Sequence, residues 1–560
     1  MAKKQADKDI RKSMSERHQR RVEKGLKKNR RYKRLIYNRF FLTLFMVLSQ
    51  LVVYLLLSFH FYTEGGRIAL FIIDLFAILM ILYIINGNEK PSTKISWMLM
   101  ILCLPIFGAS MYFLFGEGKP TRKMHRKITE AKAENLPLLQ KDQAAVDRIA
   151  NSCPQAEICR YISNYGGYPV YDSGSVAYYP TGKEMYAEML TEAEKAEKFI
   201  LVEYFIIEHG KMWTPFFNLL LQKAKAGVKI RIIFDDVGCL FTLPPKYEHY
   251  LEAQHPNIRC IRFNRVKPIF TTRMNNRDHR KFLIIDGKVA FTGGINFADE
   301  YIDEKRRFGY WKDTGVKITG ECVNAFTGMF FNLWNAFKAE KETLTEFLVA
   351  PENNTVVSQN DGGRVETNVE TKKDVANKIP YFLQAYDDSP LDKENVAETV
   401  YLELINRSKN YLWIFTPYLI VDDFVRTALV NAAKRGVDVR IVTPAVPDKK
   451  AVFRLTRANY PPLLDAGVKI YEYTPGFIHA KSMLCDGECA IVGTVNLDYR
   501  SLYLHFENAV YFSDEQAIQD LKRDSEETFT LSKPIQKSDL KNSFFGKLFD
   551  SVLRVFETLL

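Results

Sequence analysis

The sequence predicts an α/β protein, a tandem pair of α/β units behind a membrane region, and three observations carry the prediction. The segments KAGVKIRIIF at 225–234 and KRGVDVRIVT at 434–443 write the same helix end, glycine and strand twice. Two frames of polar residues, centred on His279 and His479, lie 479 − 279 = 200 residues apart with the same internal spacing. Ahead of both, apolar stretches of bilayer-crossing length occupy much of residues 40–115.

At 560 residues the chain has room for more than one core. Net charge is 78 − 66 = +12, and residues 1–39 alone hold 16 Lys/Arg against 4 Asp/Glu, again +12, so everything after them sums to zero. Basicity confined to a tail argues against nucleic acid as a partner. Two readings of the tail fit. It is drawn to anionic lipid at about 1 kcal/mol per Lys or Arg near the surface, or it is a solvated segment whose charge only sets topology.

The membrane region is expected over 40–118. Phe40 to Phe61 is long enough to span, and Ile68 to Ile85 sits at the lower limit, with a short and nearly neutral turn between them. They read as a helical hairpin, and an uncleaved one: the basic tail is too long for a secretory signal and a second apolar stretch follows directly. The third segment, Ile95 to Phe115, is interrupted by Pro105 and Gly108. Were all three to cross, the basic tail and the second basic run, Lys119 to Lys132 with six Lys/Arg, would lie on opposite sides. Positive residues favour the cytoplasm, so two crossings are expected, with the third segment re-entrant or interfacial and the catalytic part cytoplasmic, in a multi-pass protein of the cell membrane. Asp74, inside the second span, is assigned no role.

Residues 119–170 read as a largely helical linker and 171–342 as the first α/β unit. Within it KFILVEYF at 198–205 has the makeup of a buried strand, 213–227 a helix ending on glycine, and 228–234 a second strand. A polar linker, rich in Asn, Asp, Gly and Thr, covers 343–378. The second unit, 379–535, repeats the pattern at 411–417, 424–436 and 437–442. In the last segment, 536–560, Phe544, Phe545, Leu548, Phe549, Val552, Phe556, Leu559 and Leu560 follow helical spacing. A helix packed on the domain and a helix lying on a membrane both fit. The eight cysteines show no CxxC and no paired Cys/His cluster, so neither a zinc site nor a disulfide framework is signalled.

The first frame runs NNRDHRKFLIIDGKVAFTGGINFADEY and the second GFIHAKSMLCDGECAIVGTVNLDYRSLYLHFE. Each has a His, a Lys two residues on and an Asp seven on: His279, Lys281 and Asp286, then His479, Lys481 and Asp486. Gly293 and Gly493 follow the histidines by fourteen residues and Asn296 and Asn496 by seventeen. On a strand, residues two apart share a face, which sets each lysine beside its histidine. Imidazole can attack phosphorus or protonate a leaving oxygen, and an ammonium is a compact charge for non-bridging phosphate oxygens. Gly293, Gly294 and Gly493 let the chain come close to a ligand, and the asparagine amides offer donors to the same oxygens. Nothing in the pattern requires a metal. Asp286 and Asp486 sit at Asp-Gly turns and read as structural support. One such frame alone is a weak signal. Two with matching glycines and asparagines imply one site shared by two half-sites.

These frames resemble those of the phospholipase D superfamily, and HRKFLIIDGKVAFTGGINFADEYI, TPYLIVDD and GTVNLDYRSLYLHFE are similar to its cardiolipin synthase branch. The similarity spans roughly Glu197 to Glu507 and the membrane region before it. His505 departs from the branch, which usually has Asn there, and is expected to lie outside the catalytic frame. The resemblance implies two phospholipase D-type α/β sandwich domains forming a pseudo-twofold catalytic unit. It makes Asp313 and Glu507, on the equivalent stretches DTGV and ENAV, the acids that accept a hydrogen bond from the site histidines. Glu203 is a weaker candidate for the pocket rim.

What the resemblance further implies is a phosphatidyltransferase acting on membrane phospholipids. His279 would attack the phosphorus of one phosphatidylglycerol while His479 protonates the departing glycerol, and a second phosphatidylglycerol would then take the phosphatidyl group to give cardiolipin. Lys281, Lys481, Asn296 and Asn496 would hold the phosphate, and no cofactor is implied; neither GxxxxGK[ST] nor GxGxxG is present. Two other classes stay open: a membrane-bound hydrolase using the same residues with water as acceptor, and an inactive scaffold, from which a lost His or Lys would be expected.

Overall fold

The computed structural model describes residues 63–87, 89–116, 122–139, 142–266, 275–349, 380–392, 394–540 and 543–555, with isolated positions between 48 and 59 and at 557. The basic tail, nearly all of the first apolar stretch, most of the 343–378 linker and Phe556, Leu559 and Leu560 therefore lie outside the described residues.

The chain enters through α1 (Glu64–Ile85), which is the one helix among the described residues long and apolar enough to cross a membrane. Thr63 caps its first turn, and Phe71, Ile72, Leu75 and Leu79 stand exposed along it. The third apolar segment is two helices rather than one. Pro105 denies its N–H to a helical ladder, and the chain breaks at Leu104 between α2 (Pro91–Cys103) and α3 (Pro105–Met111). Both pack against α1 around Trp97, Ile101 and Tyr112.

The segment expected to be a linker begins with α4 (Arg122–Asn135), whose Met124, Ile128 and Ala131 enter the main core. Then come β1 (Ser175–Tyr179), α5 (Gly182–Lys195), β2 (Phe199–Tyr204), α6 (Trp213–Lys225), β3 (Lys229–Asp235), β4 (Ile258–Phe263), β5 (Lys281–Ile285), β6 (Val289–Gly293), β7 (Tyr310–Lys312), β8 (Gly315–Thr319) and α7 (Val323–Phe337). The second unit brings β9 (Leu383–Asp388), α8 (Val396–Arg407), β10 (Tyr411–Phe415), β11 (Leu419–Ile420), α9 (Asp423–Lys434), β12 (Asp438–Pro444), α10 (Lys450–Ala458), β13 (Lys469–Tyr473), β14 (Gly476–Ile478), β15 (Ser482–Cys485), β16 (Cys489–Gly493), β17 (Leu497–Asp498), β18 (Glu507–Phe512), α11 (Glu515–Thr530), β19 (Ser532–Pro534) and α12 (Phe544–Val555).

Two mixed sheets result. The first has the order β1-β8-β6-β5-β2-β3-β4, and the second β9-β18-β16-β15-β10-β12-β13 with β19 added at its far edge. The orders match strand for strand, as the duplicated segments require. In each, two strands with helical crossovers pair in parallel with a third (β2, β3 and β4; β10, β12 and β13), and the frame strands run antiparallel to them. Buried side chains of both units join in one cluster, from Phe199 and Ile284 to Leu412 and Val510. At its centre α7 buries 13 of its 15 residues, the all-round apolar pattern of an interior helix. The α4 helix packs on α7, and its Lys132 reaches Asp387 of the second unit at 3.2 Å. It is thus a strut across both units.

Candidate active site

Each histidine sits just before a central strand, and the segment leading to it pairs with the other unit. β14 runs parallel to β7 with Ile478 opposite Lys312, and Asp278 forms a bridge with Phe506. The His279 N–H accordingly donates to Phe506 O at 2.9 Å, and the His479 N–H to Lys312 O at 2.7 Å. Those partners immediately precede Glu507 and Asp313, so the exchange of strands delivers each acid to the histidine of the opposite unit. His279 Nδ1 lies 2.8 and 2.9 Å from the two oxygens of Glu507, and His479 Nδ1 lies 2.7 Å from Asp313 Oδ2. A carboxylate at Nδ1 holds the proton there and turns Nε2 outward as the reactive nitrogen.

Both imidazoles are 7–8 % exposed, and burial is the first cause of their low pKa. His279 is held well below the ordinary histidine value by burial and then by the charges of Lys281 and Lys481. His479 is lowered to about 4, by burial and Lys481 against the opposing pull of Asp313. The lysines answer in kind: burial brings Lys281 down to about 8 and Lys481 to about 7. Each ammonium rests on the carbonyl oxygen of its own histidine, at 2.6 Å for Lys281. Three donors per lysine leave two for a ligand.

The remaining frame residues divide. Asp286 accepts from the N–H groups of Glu197, Lys198 and Phe199, and Asp486 from those of Lys409, Asn410 and Tyr411. Each, in the left-handed region at φ 52° and 55°, closes the turn after its strand and anchors the start of the adjacent one. The glycines expected near a ligand are instead filled against protein. A Cβ on Gly293 would come within 2.4 Å of Thr314 O and one on Gly493 within 2.4 Å of Asn508 O. At Gly294 it would meet the Asp313 carboxylate at 2.1 Å. Their smallness admits the acid-bearing strand rather than a phosphate.

Asn296 is also largely committed, accepting from Ile206 N–H at 3.0 Å and donating to Tyr301 Oη at 2.6 Å. Asn496 differs, its buried Oδ1 having no hydrogen-bond partner among the described residues. Glu203 is not at the rim. It is fully buried beneath the frame with Arg280 Nη2 2.6 Å away, and burial drives its pKa well up.

His505 corrects the sequence reading more sharply. Its ring lies 5.6 Å from that of His279, and its Nδ1 stands 3.7 Å from Glu507 Oε1. Thr494 completes the Glu507 surroundings, donating to Oε2 at 2.5 Å. His505 follows the short helix over Tyr499–Tyr503, and its only signal in sequence was its departure from the family pattern. His479 is flanked instead by aromatics, with Tyr301 and Trp311 at 5.6 Å and Phe477 at 5.9 Å between ring centroids.

Among the described residues one group has the donors and spacing to hold a metal ion: His279, His505 and Glu507, with ligand atoms within 4.8 Å of one another. Filling it would take His279 Nδ1 or Glu507 from their mutual bond, beside the ammonium groups of Lys281 and Lys481 that already press on His279. The surroundings suit an anion.

Comparison with known proteins bears on the family and the fold. A family model described as cardiolipin synthase, PLD-like domain, matches residues 187–328 and 401–528, and one described as phospholipase D-nuclease N-terminal matches 73–117. The chain is 40% identical to an uncharacterized protein of Streptococcus mutans over 482 residues, 86% of this chain and 99% of that one. It is 32% identical to a cardiolipin synthase of Geobacillus kaustophilus over 502 residues, 89% and 95% of the two chains. A phosphatidylserine synthase structure from Haemophilus influenzae covers 73% of this chain and 100% of its own, at TM-score 0.50 and 14% identity, a likeness of fold.

Proposed function

The chain belongs to the cardiolipin synthase family of the phospholipase D superfamily, and we propose that it joins two molecules of phosphatidylglycerol into cardiolipin and glycerol through a phosphohistidine. The observation that carries this reading is the crossed pair of dyads, His279 with Glu507 and His479 with Asp313.

In the first step the neutral Nε2 of His279 attacks phosphorus. The bond from phosphorus to the glycerol headgroup oxygen breaks, and that oxygen takes a proton from His479 Nε2. In the second step a glycerol hydroxyl of another phosphatidylglycerol gives its proton back to His479, attacks phosphorus and displaces His279. One phosphodiester bond is broken and another of like energy formed, so no nucleotide is needed. The lowered pKa of His279 suits the nucleophile, since a protonated ring could not attack. With its pKa at about 4, His479 needs help to carry a proton. A phosphodiester anion set between Lys281 and Lys481 supplies it, because it offsets the positive charge that depresses the imidazole. The lysines neutralise the non-bridging oxygens through both steps.

This reading needs no metal or other cofactor and no nucleic acid. It sets α1 across the membrane, with the earlier apolar stretch as a second crossing and the two catalytic units on the cytoplasmic side. Support comes from the two basic runs, which share a side only when the crossings are even in number.

The test is mass spectrometry of phosphatidylglycerol liposomes incubated with the purified protein and with His279→Ala and His479→Ala, each with and without EDTA. Cardiolipin and glycerol from the parent protein, insensitive to EDTA and lost in both variants, are expected. Phosphatidic acid without cardiolipin would make the protein a hydrolase, and loss of turnover in EDTA would overturn metal independence.

A further inference from the structure

The α12 helix presents two unlike faces. Phe544, Phe545, Leu548, Phe549 and Val552 line one of them, and the first two are 77% and 78% exposed. The other face is tied to α10: Arg454 pairs with Asp550 and donates to Gly546 O at 2.8 Å, and Arg554 donates to Ala458 O at 2.8 Å. Leu553 packs on the small cluster of Ile420, Leu455 and Tyr499. The helix is therefore docked on the second unit by these polar contacts, by Leu553 and by the Arg454 guanidinium 4.8 Å from the Phe549 ring centroid, while Phe544, Phe545, Leu548 and Val552 are left exposed. Five large apolar side chains on one short helix are costly to leave in water, at roughly 25 cal/mol per Å² of apolar surface.

Its neighbours say what covers them. α12 touches α2, the helix packed on α1 in the membrane region. The start of α2 is fastened to the second unit at the same place: Tyr499 Oη donates to Ser92 Oγ at 2.9 Å, and Lys90 Nζ lies 2.8 Å from Glu398. The exposed face of α12 thus lies beside α2, whose Ile95, Leu99 and Leu102 are themselves exposed and which packs on α1. From this juxtaposition, and resting on the membrane reading of α1 given above, we infer that the apolar face of α12 lies in the lipid–water interface of the same bilayer and that its partner is the lipid itself.

The placement bears on catalysis. α10, which α12 clamps, follows directly on Asp448 and Lys449. Tyr418 Oη donates to Asp448 at 2.7 Å, and Lys449 is near enough to His279 to act on its charge state. Seating α12 in the interface sets this edge of the site at headgroup level, where a two-chain lipid presents its phosphodiester without leaving the membrane.

Nitroxide accessibility tests the placement in the full chain reconstituted in vesicles of phosphatidylcholine and phosphatidylglycerol. One sample carries the label on Phe545→Cys in a Cys103→Ser background and the other on native Cys103, which is exposed on α2 while the other cysteines are buried or half-buried. Oxygen, which partitions into lipid, should relax both labels more than a water-soluble nickel chelate does. A Cys103 label that favours oxygen beside a position-545 label that favours nickel would overturn the inference alone, and nickel preference at both would overturn the membrane reading as well. A position-545 label shielded from both agents would assign the face to protein, a second copy included, and also overturn the inference. In parallel, Phe544→Ser/Phe545→Ser/Leu548→Ser, which spares the Phe549 ring against Arg454, should lose about tenfold or more in turnover of bilayer phosphatidylglycerol. It should keep the parent rate on a short-chain phosphatidylglycerol dissolved as monomers, and equal loss on both substrates would count against the inference.

Discussion

Glu507 of the second unit holds Nδ1 of His279 in the first, through both carboxylate oxygens at 2.8 and 2.9 Å, and Asp313 does the reverse for His479 at 2.7 Å. Neither unit contains a complete histidine–carboxylate dyad. The crossing follows from β7 pairing with β14 and from Asp278 bridging to Phe506, so the backbone places each acid before any side chain is chosen.

The first prediction separates the two dyads by step. Glu507→Gln, although in the second unit, should slow formation of the phosphoenzyme on His279, and Asp313→Asn should slow the proton transfers of His479. Losing the partner that fixes a catalytic tautomer costs on the order of 100-fold or more in kcat. Rapid-quench trapping of the phosphohistidine reads the first step directly. Normal phosphoenzyme formation in Glu507→Gln would contradict the crossed assignment.

The pH dependence follows from the lysines. Burial lowers Lys281 to about 8 and Lys481 to about 7, so each is charged below its own value and neutral above it. A phosphate anion needs the charged form, and kcat/KM for phosphatidylglycerol should therefore fall as pH rises through about 7 to 8, far below the ordinary lysine range. Lys481→Arg, whose guanidinium stays protonated throughout, should lose activity from misfit of its planar group and flatten that alkaline limb. A limb unchanged in Lys481→Arg would give the titration to another group.

His505 supports a third prediction. Its Nδ1 faces Glu507 Oε1 at 3.7 Å, and burial lowers its pKa to about 3, so it acts as a neutral dipole beside the acid. His505→Asn keeps a short polar group there and should hold kcat/KM within about tenfold, whereas His505→Leu withdraws a polar neighbour from a buried carboxylate and should cost more. Equal effects of the two on kcat/KM would leave the position a packing role only.

What was legible in the sequence was whatever repeats or is local. The two frames, the duplicated helix-and-strand units and the helical spacing of the apolar residues in α12 all rest on short spacings. Through-space facts were not legible. Asp313 and Glu507 could be matched to each other by their neighbours DTGV and ENAV, but which histidine each serves depends on strand exchange between units. His505 stood out only as a departure from a family pattern, because what sets its ring beside that of His279 is the pairing of Phe506 with Asp278 across the units. α7 shows almost no polar face, which hides a central helix from periodicity, and α4 passed for a linker because its few apolar residues face α7.

The frame aspartates give the last prediction, and it runs against reading every member of the motif as a catalyst. Asp286 and Asp486 each accept three backbone N–H groups at the start of the neighbouring strand and touch neither histidine. Replacing Asp by Asn keeps the shape but substitutes one oxygen by an amide nitrogen, which cannot accept and meets an N–H donor head on. Hydrogen bonds to a charged group contribute about 1.5–3 kcal/mol each, so Asp286→Asn should lose roughly 2 kcal/mol or more of stability. Its turnover, measured at a temperature where the variant is still folded, should stay within about tenfold of the parent, since the dyads are untouched. Thermal unfolding and cardiolipin formation are to be compared on the same preparation. Near-parental stability with abolished turnover would place Asp286 in the chemistry after all.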